Sequence, residues 1–286
     1  MVGLATVLGA GGGTSSYQEI EETDVILLWG SNAREAHPIF FHHLLKGIDN
    51  GATMYAVDPR RTSSAKFADV WLGLEVGSDV ALANTVAREI IAADLHNKDF
   101  VAHSTRGFDR LKEAVEPYTL ERGSELTGVP AEAIREMAHA YATAETAQIL
   151  WTLGITEHHN AVDNVLALCN LALLTGHVGC WGSGLVPLRG QINVQGGGDM
   201  GSLPDQLPGF QKVNDDVARA KFEAVYGVEL NPNPGIHLTL MFEAMERGEM
   251  KAVYVIGGIQ PTAKPTSTTP ARCSKASTCW LYKIFS

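Results

Sequence analysis

Residues 187–201 read PLRGQINVQGGGDMG, with one cation (Arg189), three side-chain amides (Gln191, Asn193, Gln195), five glycines and one carboxylate (Asp199). The stretch matches neither a helix face nor an alternating strand. By composition alone it also suits a polar linker between domains. Three other short stretches carry ligand-binding groups. GSNAREAHP (30–38) offers Gly30 for a turn, then Ser31 and Asn32 as short hydrogen-bonding side chains. DPRRT (58–62) places Asp58, an acceptor for a ribose or a guanine edge, before Pro59 and the phosphate-binding types Arg60 and Arg61. VGSD (76–79) brings a Gly77-Ser78 turn and Asp79 to the start of a helical pattern. All three are also ordinary turn or cap sequences. Neither GxGxxG nor GxxxxGK[ST] occurs at these positions, so a nucleotide here would be held by a different loop grammar.

Each of these loops follows an apolar run. DVILLWG (24–30), TMYAVD (53–58), VWLGL (70–74), QILWTLG (148–154) and KAVYVIGG (251–258) predict buried strands. Between them, PIFFHHLLKGI (38–48, ending near Asn50-Gly51) and residues 79–95, 129–142 and 160–176 have helical spacing, the last with an Asn cap and a terminal Gly. DDVARAKFEAVYG and IHLTLMFEAMERG add two amphipathic helices before the final strand. The alternation predicts an α/β fold, a doubly wound and mostly parallel sheet, followed by the start of a second α/β unit. In such a sheet, ligands bind beyond the carboxyl ends of the strands, which is where the three loops fall.

The composition is that of a globular protein, 45% hydrophobic and 19% charged over 286 residues. A net charge of −10 argues against nucleic acid as a partner while leaving room for a local cationic pocket. Neither a signal peptide nor a run long enough to span a bilayer is present, which predicts a cytoplasmic chain. Cys169, Cys180, Cys273 and Cys279 form no CxxC and no zinc-type spacing with histidine, so no metal ligands are assigned.

GSNAREAHP, VDPRRT, ADVWLGLEVGSD, WTLGITEHHN, NLALLTGHVG and PLRGQINVQGGGDMGSLPDQLPGFQ together resemble successive blocks of the molybdopterin oxidoreductase superfamily. Within it they most resemble the catalytic alpha subunit of molybdenum- or tungsten-dependent formate dehydrogenases. The resemblance runs from about Val2 to about Gly257. It implies a metal held between two molybdopterin guanine dinucleotides, oxidation of formate to carbon dioxide, and transfer of electrons through an iron-sulfur cluster to a partner subunit or domain. It also implies that Arg189 anchors the formate carboxylate. Gly30, Asn32, Asp58, Arg60, Gly77, Ser78, Asp79, Gly154, Glu157 and Gln191 are the implied cofactor contacts. His158 and His159 fall where the family varies, which suits pocket lining better than metal ligation.

The family's metal ligand, a cysteine or selenocysteine followed by histidine, and its cluster cysteines belong upstream of the segment that begins at Val2. The chain therefore reads as an internal fragment, inactive by itself. Its expected divisions are a pterin-dinucleotide domain over 1–191, a partial second α/β domain over 192–258 and an irregular tail over 259–286. The Ser, Thr, Pro and Lys content of that tail is what a shifted reading frame would produce. A non-catalytic molybdopterin-binding or interaction module of the same fold is the rival reading.

Overall fold

In the computed structural model, residues 2–191, 193–250, 252–256 and 280–284 are described. Five runs form the strands β1 (Val25–Trp29), β2 (Thr53–Val57), β3 (Val70–Leu72), β4 (Ala147–Trp151) and β5 (Gly184–Pro187). They make one parallel sheet in the order β3-β2-β1-β4-β5. Every residue of β1 and β4 is buried, as expected of central parallel strands covered on both faces.

Successive side chains point to opposite faces, so the sheet feeds two cores. Leu27, Trp29, Tyr55, Val57 and Ile149 pack with the helices Asp79–Ala92, Ala131–Thr143 and Ala161–Thr175. Ile26, Leu28, Met54, Ala56 and Leu150 pack with Phe40, Phe41 and Leu44 of the helix Pro38–Asp49. Full burial of each large apolar side chain contributes about 1.5–3 kcal/mol. Two covered faces and an order that reverses between β1 and β4 make the sheet doubly wound.

β5 is absent from the sequence expectations because GLVP is short, begins with Gly and ends with Pro. It is a strand at an edge, where a residue lacking an N–H is tolerated. Its open side is covered by the N-terminal segment. Thr14 donates its backbone N–H to Leu185 O at 3.0 Å, Leu185 N–H donates to Thr14 Oγ1 at 2.8 Å, and Ser15 Oγ–H donates to Ser183 O at 2.6 Å. The helix Ala161–Thr175 ends as expected at Gly176, which is left-handed at φ 77°. Its expected Asn160 cap does not form. Asn160 Nδ2 instead donates to Asn164 Oδ1 at 3.4 Å, and Asn164 Nδ2 donates to Ile155 O at 3.0 Å, so both amides serve the loop after β4.

The chain divides into two compact units, Met1–Ile192 and Asn193–Ser286. The second unit begins with the short helix Val194–Asp199, capped by Asn193, whose side chain accepts from Gly196 N–H. Part of the PLRGQINVQGGGDMG stretch is thus helical, although its sequence shows no helical face. A two-stranded antiparallel hairpin follows, β6 (Gln206–Leu207) with β7 (Gln211–Lys212), and then the helices Asp216–Tyr226 and Leu238–Glu246. β8 (Ala252–Ile256) pairs in parallel with β9 (Trp280–Ile284). Most of the expected irregular tail lies outside the described residues, and its described part is this strand, for which backbone pairing with β8 supplies the reason. No helix among the described residues is long and apolar enough to cross a membrane.

His177 lies buried against the Tyr141 ring, with Nε2–H donating to Tyr141 O at 2.9 Å. Burial holds its pKa below the ordinary histidine value. A depressed folded-state pKa means stability that is fully present above the unfolded value of ~6.5 and is lost as pH falls through the folded value. Urea midpoints measured from pH 7.5 down to pH 5 are expected to fall. The slope should be shallower in His177→Gln, which keeps a donor without the titrating ring.

Candidate functional site

The loops leaving the carboxyl ends of all five strands converge on one cleft of about 570 Å³ within the first unit. That volume falls in the range of small-molecule sites. The wall is contributed by Gly30 and Asn32 after β1, Asp58 and Arg60 after β2, Gly77 and Asp79 after β3, Gly154 and His158 after β4, and Gly190 and Gln191 after β5.

At its floor the chain approaches itself closely where the strand order reverses. Gly30 is left-handed at φ 58°, and its N–H donates to Val57 O at 2.8 Å. Its carbonyl accepts from Gly154 N–H at 3.1 Å and from Thr152 Oγ–H at 2.8 Å. A Cβ on Gly30 would stand 2.9 Å from the Gly154 carbonyl carbon, and one on Gly154 would stand 2.5 Å from Gly30 O. Only glycine fits at either position.

Asp58 is buried at the end of β2, where Oδ1 accepts from Arg60 N–H at 2.8 Å. That turn sends the Arg60 side chain out to the exposed rim. Asn32 Oδ1 accepts from Ser63 Oγ–H and Ser64 Oγ–H, each at 2.9 Å, which ties the β1 loop to the β2 loop. Asp79 is the buried first residue of the helix Asp79–Ala92, and its Oδ1 accepts from Trp29 Nε1–H at 2.8 Å. Burial raises the Asp79 carboxyl above its ordinary value, opposed by the Trp29 bond and by His158. His158 Nε2–H donates to Gly154 O at 2.7 Å. The wall therefore combines buried carboxylate acceptors with a rim cation.

Not every expected contact joins the cleft. Ser78 does not line it and makes no capping bond; its hydroxyl donates to Glu75 O at 2.6 Å and closes the turn instead. Glu157 is exposed beyond the short helix Leu153–Thr156, and it and His159 lie outside the lining. Arg189 is half-buried and is not part of the lining, although its chain neighbours Leu188 and Gly190 are. One of its Nη atoms donates to Gly11 O, while Nε is buried without a partner. No carboxylate of the described residues lies within ion-pair distance of it, and burial lowers its pKa. His37, Thr152 and Leu153 also line the cleft and went unnoticed in the sequence. A histidine just before Pro38, in a strand-end loop, was the one available signal. Among the described residues no group of His, Cys, Asp or Glu could hold a metal ion.

The molybdopterin oxidoreductase family model matches residues 7–274. The chain is 41% identical over 257 residues to the F420-dependent formate dehydrogenase subunit alpha of Methanocaldococcus jannaschii, covering 90% of this chain and 38% of that one. It is 40% identical to formate dehydrogenase H of Escherichia coli, covering 90% and 36%. The chain thus spans little more than a third of the curated relatives it matches. Among solved structures, acetylene hydratase from Pelobacter acetylenicus superimposes with a TM-score of 0.64 at 27% identity, covering 88% of this chain and 37% of that one.

Gly30→Ala is expected to destabilise by about 2–4 kcal/mol, combining left-handed strain with the backbone clash. Gly51→Ala, with φ 108° but nothing within 4 Å of the added carbon, is the control and should lose only about 1 kcal/mol. Urea unfolding of the two variants separates the effects, and equal losses would remove the close approach as the constraint. For Asp79 the folded pKa is raised, so its stabilising contribution is present below the unfolded value of ~3.9 and lost as pH rises through the folded value. Asp79→Asn should therefore be more stable than the parent at pH 7, with the gap closing toward pH ~4 in the same assay.

Proposed function

Because this chain belongs to the molybdopterin oxidoreductase family, we propose that it is part of the catalytic subunit of a formate dehydrogenase. The reaction takes formate to carbon dioxide, one proton and two electrons. The residues of the cleft fit a guanine dinucleotide of the cofactor. Asp58 and Asp79 supply acceptors suited to the N–H edge of guanine or to a ribose hydroxyl. Arg60 at the rim supplies a cation for phosphate. Gly30, Gly77 and Gly154 keep the backbone bare of side chains along the wall, and Gln191 offers an amide that donates and accepts without adding charge. When bound, molybdenum or tungsten with its two molybdopterin guanine dinucleotides supplies the two-electron acceptor. An iron-sulfur cluster and an electron-transfer subunit or domain complete the path in the whole protein.

The observation that carries the formate reading is the state of Arg189. It is a half-buried guanidinium whose only hydrogen-bond partner among the described residues is a neutral carbonyl, with Nε unpartnered and no carboxylate of the described residues within ion-pair distance. A desolvated cation without a counter-ion favours an incoming anion, and formate is a planar carboxylate that a guanidinium fork can hold in two bonds. The role of Arg189 is then to bind and orient formate. The likeness to acetylene hydratase cautions that the fold alone does not choose the reaction, so the side chains must.

The test is formate oxidation by the intact protein that carries this chain, with variants at Arg189. Lys keeps the charge and loses the fork, so catalytic efficiency should fall about 10- to 100-fold, and Ala should be worse. Metal and pterin content should remain at the parent level. Unchanged efficiency in both variants removes the anchor role. Loss of metal in step with activity would assign Arg189 to the cofactor instead.

A further inference from the structure

The loop after β5, residues 188–191, contributes Leu188, Gly190 and Gln191 to the cleft wall, and very little main-chain bonding holds it. Leu188 N–H donates to Trp151 O at 2.9 Å. Beyond that point Arg189, Gly190 and Gln191 make no backbone–backbone hydrogen bond with another described residue. A side chain from a different strand end supplies the missing tie. His37 Nε2 lies 2.6 Å from the carbonyl oxygen of Arg189. A carbonyl can only accept, so Nε2 carries the hydrogen and donates it. Nδ1 is buried without a partner, which leaves this as the one hydrogen bond of the ring among the described residues.

The base from which His37 reaches is rigid. It stands between the helices Ala33–Ala36 and Pro38–Asp49, its N–H donating to Ala33 O at 2.8 Å and its carbonyl accepting from Phe41 N–H at 2.9 Å. Pro38 disfavours helical backbone at the preceding residue, and His37 is accordingly at φ −137°, ψ 59°. Both ends of its backbone are thus set by helical turns, and the ring also lines the cleft.

We propose that His37 is a positioning residue, a strap from the β1 loop that fixes the peptide of Arg189 and so the placement of Arg189 and of Gly190 and Gln191, which line the cleft. The strap is a property of the fold; its kinetic consequence rests on the reading of Arg189 as the formate anchor. Removing the strap frees the loop while leaving every strand and both cores in place.

Hydrogen exchange on the intact protein tests the strap without reference to activity. In His37→Ala, amides of residues 188–191 should exchange about 2- to 10-fold faster, the effect of one lost hydrogen bond. His37→Gln, whose amide can donate to the same carbonyl, should return toward the parent rate. Exchange in β1 and β2 is the internal control. Unchanged exchange at 188–191, or equal acceleration in β1 and β2, would overturn the proposal. In the kinetic arm, His37→Ala should raise the formate KM about 2- to 10-fold with a smaller change in kcat when rates are normalised to bound metal, rescued by Gln. If Arg189→Ala leaves the formate KM unchanged while exchange still responds to His37→Ala, the strap stands and the formate reading falls.

Discussion

Where the sheet reverses its order, the loops after β1 and β4 must lie against each other with no side chain between them. Gly30 and Gly154 meet that condition, the carbonyl of one taking the N–H of the other at 3.1 Å. The loops from β2 and β3 on one side and from β5 on the other open away from this contact, and the cleft is the space between them. A methyl group at either glycine would wedge the two loops apart, which would change the distance between every other group of the wall.

The remaining wall follows from how each strand end is turned. Asp58 and Asp79 are buried because each main-chain turn points the carboxylate inward, one held by the Arg60 amide and the other by the Trp29 indole. Arg60, two residues on, is exposed, so the wall carries a buried acceptor and an exposed cation close together in the chain. The second region of chemistry, around Arg189, is built differently. It depends on β5 being an edge strand whose outer side is filled by the N-terminal segment, since the same segment that bonds Leu185 also brings Gly11 O to the Arg189 guanidinium. His37 then ties the Arg189 carbonyl to the β1 loop, so chain far apart in sequence sets the position of one cation.

Much of this architecture was legible in the sequence. The apolar runs of β1, β2 and β4 are continuous because parallel central strands are covered on both faces, and glycine or aspartate at their ends announced the turns that carry Gly30 and Asp58. Helical spacing and the terminal Gly176 marked the helix Ala161–Thr175. Four short-range features, GSN, DPRR, GSD and the Gly-rich stretch, supply many of the residues that line the cleft, because loops at strand ends are local in sequence.

What the tertiary structure decided is which of those residues line the cleft and which build the turn. Ser78 and Asp79 are neighbours with similar short-range preferences, yet one closes a turn with Glu75 and the other is buried in the wall. Nothing in the chain order distinguishes them, because the difference is set by Trp29 reaching across the sheet. β5 was illegible because a four-residue strand with Gly and Pro at its ends gains its stability from Thr14 and Ser15, some 170 residues away in sequence. The lack of an ion pair between Arg189 and any described carboxylate, and its hydrogen bond from His37, were likewise invisible, since both depend on which groups packing brings together. The sequence by itself determined the periodicities, the turns and the kinds of chemistry available. Only the folded chain decided which of those groups are buried, which line the cleft and which, like the Arg189 guanidinium, have no ion pair with a described residue, because packing sets those neighbours.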